Sequence, residues 1–412
     1  MTRIHPTGRR LFLAVTAGAL ALTTACSSGG SSADAGPVSS TAAPSTSSES
    51  AAADSPATQP AAGPPPDVDV TVLASGLDHP WDVVRAPDGT ILTGERSGRF
   101  VAIGADGQQR TVAADMTDFF AGSETGLMGI ALATDFASTR TLYTCQGFED
   151  SSTTDIRVQS WTAAPDWSSL TPVRTVVDGF PVTSGRHGGC RILPRDDGTL
   201  LIGTGDSAQA SVPQDRNSLG GKVLRVDAVT GQPPADNPDP TSPIFTLGHR
   251  NVQGLAARPG SDQVFSVEQG TSRDDEVNLL ESGANYGYRP DRNGNGYDES
   301  VAMTDPERVP GALAATWSSG PATVATASGS FLTGAAWGSW NGALAVGVQK
   351  DMEVLLLQIS DDGKTVTNEA KIDALSGTHG RIRTVSAQPD GSLLVTTDNG
   401  DNEDEVLVVT PK

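Results

Sequence analysis

Six times along the chain an apolar strand runs into a tight turn and a second strand returns, and few folds accept that plan. The copies read WDVVRAPDGTILTGE from Trp81, GLMGIALATDFASTRTLYTC from Gly126, HGGCRILPRDDGTLLIGTGD from His187, NVQGLAARPGSDQVFSVEQG from Asn251, LTGAAWGSWNGALAVGVQK from Leu332 and IRTVSAQPDGSLLVTTDNG from Ile382. Asp88-Gly89, Asp197-Gly198, Asn341-Gly342 and Asp390-Gly391 are dipeptides that favour the positive φ angles of hairpin turns. Their flanking runs of Val, Ile, Leu and Ala are nearly continuous, as expected for inner strands covered on both faces. A strand-built repeat of roughly 50 to 80 residues predicts an all-β, six-bladed β-propeller, one blade per copy. VQSWTA from Val158 and KVLRVDA from Lys222 are candidate later strands. EVLVVTP from Glu405 is expected to pair with VDVTVLASG from Val68, closing the ring and removing its free edges. Position within a blade fixes the end of the channel that a residue faces. His187, Arg250, Asn251, Arg381 and Arg383 each stand where a blade's first strand begins, so they are expected to converge on one mouth.

The propeller is expected over residues 68–412. Residues 1–25 have the form of a signal peptide: a basic start, then LFLAVTAGALALTTA, too short to span a bilayer. Arg9-Arg10 followed by Leu11-Phe12-Leu13 resembles a signal for exporting folded protein. Cys26 follows small residues, as lipoprotein-type cleavage requires, although Thr23 replaces the usual aliphatic residue. This reading predicts a lipid anchor at Cys26 and a cell-surface or periplasm-like address; the alternative is a soluble secreted protein. Residues 26–67 are Ser, Ala, Thr and Pro with almost no large apolar side chain, a composition expected to stay disordered as a linker. Cys145 and Cys190 admit either a disulfide, which export permits, or two buried thiols. With five His and no Cys pair at ligand spacing, a zinc site is not expected. A net charge of −21 argues against nucleic acid as a partner.

Within the repeats, His187 precedes Arg191 by four positions and Asp206 by nineteen. A lone His at such a place is more often a buried structural residue, although a His whose tautomer a carboxylate fixes can also serve as a general base. Arg250 could pair with a carboxylate on the rim. Lys350, Arg381 and Arg383 gather positive charge in a chain poor in it, which suits an anionic ligand. DRNGNGYDE (Asp291 to Glu299) imitates the start of a calcium loop but has no closing Glu, and Asn-Gly turns also produce that pattern.

The strings LDHPWDVV, ETGLMGIAL, RHGGCRILPRDDGTLLIGTGD, TLGHRNVQGLA, EQGTSRDDEVNLL, GANYGYRP and HGRIRTV resemble the soluble pyrroloquinoline quinone (PQQ) dependent aldose dehydrogenases, the glucose/sorbosone dehydrogenase family. The similarity runs in order from about Val70 to Thr410. It implies a six-bladed propeller, in agreement with the repeat count, that oxidises an aldose sugar at C1 to the lactone. It further implies His187 as general base, Asp206 orienting it, and Arg250 at the quinone oxygen that gains charge. Glu124, Asn251, Thr323, Lys350, Arg381 and Arg383 match cofactor-binding positions, with Glu124 where many relatives carry Gln. Calcium is the implied metal: the Gly270 and Thr271 carbonyls at the cofactor, with Thr271 where Pro is usual, and Glu276 with the Tyr286 carbonyl at a second, structural ion. Arg186 stands where glucose dehydrogenases often have Asp. Electrons would pass to an external acceptor, such as a membrane quinone or a cytochrome. The rival readings are a calcium-dependent propeller lactonase and a non-catalytic propeller that binds a glycan or protein.

Overall fold

A computed structural model describes residues 63–291, 294 and 296–412. The leader, Cys26 and nearly all of the expected linker lie outside them. The expected ring is present. Six antiparallel sheets follow one another along the chain, and the first strands of neighbouring blades pack together in a closed circle. Those first strands are Pro80–Arg85, Leu127–Leu132, Gly189–Pro194, Val252–Ala257, Thr326–Phe331 and Ile382–Ala387. The candidate later strands also form, as Thr154–Ala163 and Lys222–Asp227.

Blade 6 supplies three strands of its own, and Val68–Leu77 adds the fourth by pairing with Asp404–Pro411. Val68–Leu77 thus closes the ring as predicted, covering the edge of Asp404–Pro411. Second strands such as Ile91–Glu95, Leu344–Val348 and Leu393–Thr397 are buried along their whole length, whereas the outer strand Val366–Lys371 alternates. That contrast reproduces the continuous and alternating apolar patterns. At the turns, Gly89, Gly198, Gly342 and Gly391 take φ between 81° and 86°. Asp88, Asp197 and Asp390 each accept the N–H two residues on, which fixes the turn.

Cys145 in blade 2 and Cys190 in blade 3 form a disulfide, Cα–Cα 5.9 Å, which settles the alternative left by the sequence. The blades can approach there because a Cβ on Gly129 would lie 2.4 Å from the Cys190 carbonyl. Beneath the mouth a polar plug ties the ring together. Arg191 pairs with Asp82 at 2.5 Å, donates to the Gln253 carbonyl and Thr384, and stacks on Trp81. Asp82 also accepts the Ile130 N–H at 2.9 Å, so five blades meet through two side chains.

Candidate active site

The turn before blade 3 holds His187 with φ 51°, a left-handed conformation costly for a non-glycine residue. Its surroundings enforce it. The His187 N–H donates to Glu124 Oε2 at 2.9 Å, and Gly205 lies so close that a Cβ would fall 1.8 Å from the His187 carbonyl. Glu124 is thus held by a backbone donor rather than by a cation. His187 is 3% exposed. Its Nδ1 lies 2.8 Å from Asp206 Oδ1, just past the blade's second strand. A carboxylate can only accept, so Nδ1 carries the proton and Nε2 keeps its lone pair.

That lone pair faces two guanidinium groups: Arg250 Nη2 at 2.9 Å and Arg186 Nη2 at 3.3 Å. Glu299 bridges them, accepting from Arg250 at 3.0 Å and Arg186 at 2.8 Å. Burial works against the charges, but the attraction of Arg250, with Arg186's hydrogen bond, holds Glu299 below the usual carboxylate range. Burial likewise opposes the Arg250 cation; the Asp206 and Glu299 carboxylates outweigh it and keep the group charged. Arg250 Nε and Asn251 Nδ2 are buried without a protein partner. Unpaired buried donors are costly, and two of them side by side suit an oxygen-rich ligand.

The remaining predicted residues lie on two hydrogen-bonded runs, one of which starts from Arg250. Arg250 Nη1 donates to the Gln269 carbonyl (3.0 Å), and Gln253 donates to the Gln269 side chain (3.0 Å). Arg383 donates to Gln253 at 2.6 Å and to Asp398 through Nε at 3.1 Å. Gln349 donates to Asp398 and accepts from Arg381, each at 2.9 Å. Burial lowers the Arg381 guanidinium, and the nearby Arg383 and Arg96 charges lower it further. Crowded cations of this kind favour an anion among them. Lys350 Nζ, exposed, donates to the Thr323 carbonyl at 2.8 Å. Thr323 donates to Asp275, which also accepts the Gly270 N–H at 2.7 Å.

The residues implied for a second metal lie close together. The Thr304 hydroxyl lies 3.0 Å from Glu276 Oε1 and 3.1 Å from the Tyr286 carbonyl. Burial, and then the Glu268 charge, pushes the Glu276 carboxyl well above its ordinary range. Asn278 Oδ1 beside it is buried without a partner. This is a set of hard oxygen donors lacking positive charge, which fits calcium. At Gly270–Thr271 the buried Thr271 hydroxyl likewise has no partner.

Sequence reasoning missed three members of the site. Tyr297 and Glu299 fall in the segment read as a calcium-loop imitation, inside the long connection between Glu276–Leu279 and Trp317–Ser318, where no repeat marks them. His79 forms a second His–Asp pair with Asp398. It had a signal: in five blades a carboxylate or amide stands at the end of the second strand or within two residues past it, at Glu95, Asp206, Glu268, Gln349 and Asp398. Grooves of about 320 and 590 Å³ lie at blade margins elsewhere, and neither contains a histidine.

A profile of the glucose/sorbosone dehydrogenase family matches residues 77–408. The chain is 31% identical to an aldose sugar dehydrogenase of Escherichia coli (strain K12) over 363 residues, 84% of this chain and 94% of that protein. Among solved structures it is similar to the PQQ-bound aldose sugar dehydrogenase of Streptomyces coelicolor, with TM-score 0.69, 28% identity and coverage of 84% and 99%. It is also similar to the apo form of the soluble aldose sugar dehydrogenase of E. coli, with TM-score 0.74, 29% identity and coverage of 84% and 100%.

Proposed function

The chain belongs to the glucose/sorbosone dehydrogenase family, and from that premise we propose that it is a PQQ-dependent dehydrogenase that oxidises an aldose at C1 to the lactone. The observation that carries this reading is His187, protonated at Nδ1 by its bond to Asp206, with Nε2 facing the Arg250 guanidinium. His187 Nε2 takes the C1 hydroxyl proton. Asp206 holds the ring in the tautomer that can do so and stabilises the imidazolium that forms. Arg250 keeps a permanent charge where an oxygen gains electron density. When bound, PQQ supplies the hydride acceptor, and an external partner removes the two electrons. Arg381, Arg383 and Lys350 would hold its carboxylates, Asn251 and Thr323 its edge, and Glu124 steadies the base beside it.

Calcium is proposed at the Gly270 and Thr271 carbonyls, and a second ion at Glu276 and Tyr286. A third ion in the 291–299 segment is not proposed, because Glu299 is paired with two arginines. The lactonase alternative needs carboxylates free to converge on a channel metal. Asp206, Asp398 and Glu299 are instead engaged by His187, Arg383 and the Arg250–Arg186 pair. Export behind residues 1–25, anchoring at Cys26, a linker to residue 67 and a quinone or cytochrome acceptor complete the proposal. Among the described residues no helix is long and apolar enough to cross a membrane.

The decisive experiment mixes cofactor-free protein with PQQ and Ca²⁺, then follows quinone absorbance and dye reduction across a sugar panel. Sugar-dependent bleaching supports the reading. Tight PQQ binding with no bleaching by any aldose would sink it.

A further inference from the structure

Tyr297 belongs to no repeat, yet its hydroxyl reaches the proposed base from behind. The two oxygens of Asp206 are divided. Oδ1 lies 2.8 Å from His187 Nδ1 and also accepts the Ala208 N–H at 2.8 Å; Oδ2 accepts from Tyr297 Oη at 2.6 Å. Tyr297 Oη accepts in turn from Tyr288 Oη at 3.0 Å. Tyr288 is fully buried against Val301 and Met303, with Tyr297 packed on the same cluster. The Tyr297 and His187 rings lie 5.7 Å apart. Burial pushes the Tyr297 phenol above the ordinary tyrosine range, so it keeps its proton and donates to Asp206, which leaves its oxygen to accept from Tyr288.

Donation therefore runs one way, from Tyr288 to Tyr297 to Asp206. Asp206, pinned at both oxygens, cannot turn away from Nδ1. Because the donor at Oδ2 is neutral, the carboxylate keeps its full charge for the imidazole. We propose that Tyr297 is a positioning residue of the reaction: acting through Asp206, it holds His187 as the Nδ1–H tautomer with Nε2 directed at the substrate. Tyr288 supports Tyr297 in that task. The inference rests on the reading of His187 as the base. The other charged groups facing His187 are Glu124 at its N–H, Arg250 and Arg186 at Nε2, and Glu299 behind those arginines; Tyr297→Phe leaves all four in place.

Two measurements on full-chain protein test it. Nitrogen NMR of ¹⁵N-histidine-labelled, cofactor-free protein, with His187 assigned from His187→Ala, should show the Nδ1–H form in the wild type and a tautomer mixture in Tyr297→Phe. With PQQ and Ca²⁺ added, Tyr297→Phe should lose about tenfold in kcat, while the sugar KM stays within about twofold. The acid limb of its kcat–pH profile should move to higher pH, since Asp206 freed of a donor holds the imidazolium more strongly. Tyr288→Phe should move the same readouts less, and it carries the test if Tyr297→Phe does not fold. An unchanged tautomer with unchanged kcat overturns the proposal. So does a loss of kcat with a wild-type tautomer spectrum. The NMR arm needs neither cofactor nor sugar, so its result stands even if the dehydrogenase reading fails.

Discussion

The mouth of the channel holds two histidine–aspartate pairs built to one plan but set to different uses. His187 and His79 each stand before a blade's first strand, at φ 51° and 50°. Each has its N–H held by a carboxylate at 2.9 Å, Glu124 for His187 and Asp404 for His79. Each presents Nδ1 to an aspartate that follows a blade's second strand, Asp206 or Asp398. The pairs part company at the second carboxylate oxygen. Asp206 receives a neutral phenol there, whereas Asp398 receives the Arg383 guanidinium and the Gln349 amide. A carboxylate already committed to a cation has little charge left for an imidazolium. The far ring nitrogens differ as well: Nε2 of His187 meets arginines, and that of His79 lies 3.9 Å from Asp78. On the proposed reading, the same constellation would serve as a base in one blade and as a brace for a cofactor-binding arginine in the other.

Removing the imidazoles separates these roles most sharply. His187→Ala should retain PQQ but lose about two to four orders of magnitude in kcat, the usual scale of general-base loss. His79→Ala should weaken PQQ retention and thermal stability while leaving kcat within the same order as wild type. Equal losses of kcat in the two variants would erase the distinction.

The aspartates come next. Asp206→Asn should lower kcat by about two orders of magnitude, because the amide can donate to Nδ1 and favour the wrong tautomer. Asp398→Asn leaves the Arg383 charge buried without its counter-charge, a change that costs about 3–5 kcal/mol and is read from urea unfolding. It should also weaken PQQ binding, with a far smaller effect on turnover per bound cofactor. A stability loss in Asp206→Asn matching that of Asp398→Asn would show that both pairs are primarily structural.

Much of this comparison was legible in the residues, and its limits follow the repeat. The blades, their inner strands, the closure by Val68–Leu77 and the gathering of His187, Arg250 and Arg383 all follow from apolar runs and turn dipeptides recurring in phase, whereas the place of Asp206 beside His187 was read from the family resemblance. Asp398 shared that phase but was hidden because its partner His79 is 319 positions away. Tyr297 and Glu299 could not be found this way. They lie in an irregular connection whose path depends on packing, so their spacing from His187 along the chain carries no information. The Cys145–Cys190 pairing stayed open for the same reason: the lateral fit of adjacent blades depends on the clearance at Gly129.

Acid titration probes the pair committed to a cation. Burial alone would raise Asp398, but Arg383 and His79 outweigh it and hold the carboxyl below its ordinary value of 3.8. A depressed carboxylate contributes stability above its unfolded value, and that contribution is lost as pH falls through the lower folded one. Unfolding free energy should therefore decline as pH drops below 3.8, and Asp398→Asn should remove part of that slope. An identical slope in the variant would mean that Arg383 does not engage Asp398 in solution.

The smallest effect tests the feature the two pairs share. A left-handed histidine costs about 1–3 kcal/mol, and each carboxylate offsets part of that by accepting the residue's N–H. If acceptance is what matters at Glu124, Glu124→Gln should stay within about twofold of wild-type kcat, since an amide oxygen accepts equally well. Glu124→Ala removes the acceptor, and leaving that N–H unpaired should cost about 1–3 kcal/mol in stability, with a loss of kcat as His187 loosens. If Glu124→Gln instead behaved like Glu124→Ala, the negative charge itself would be required, and His187 would depend on an electrostatic partner that the match to glutamine-bearing relatives does not supply.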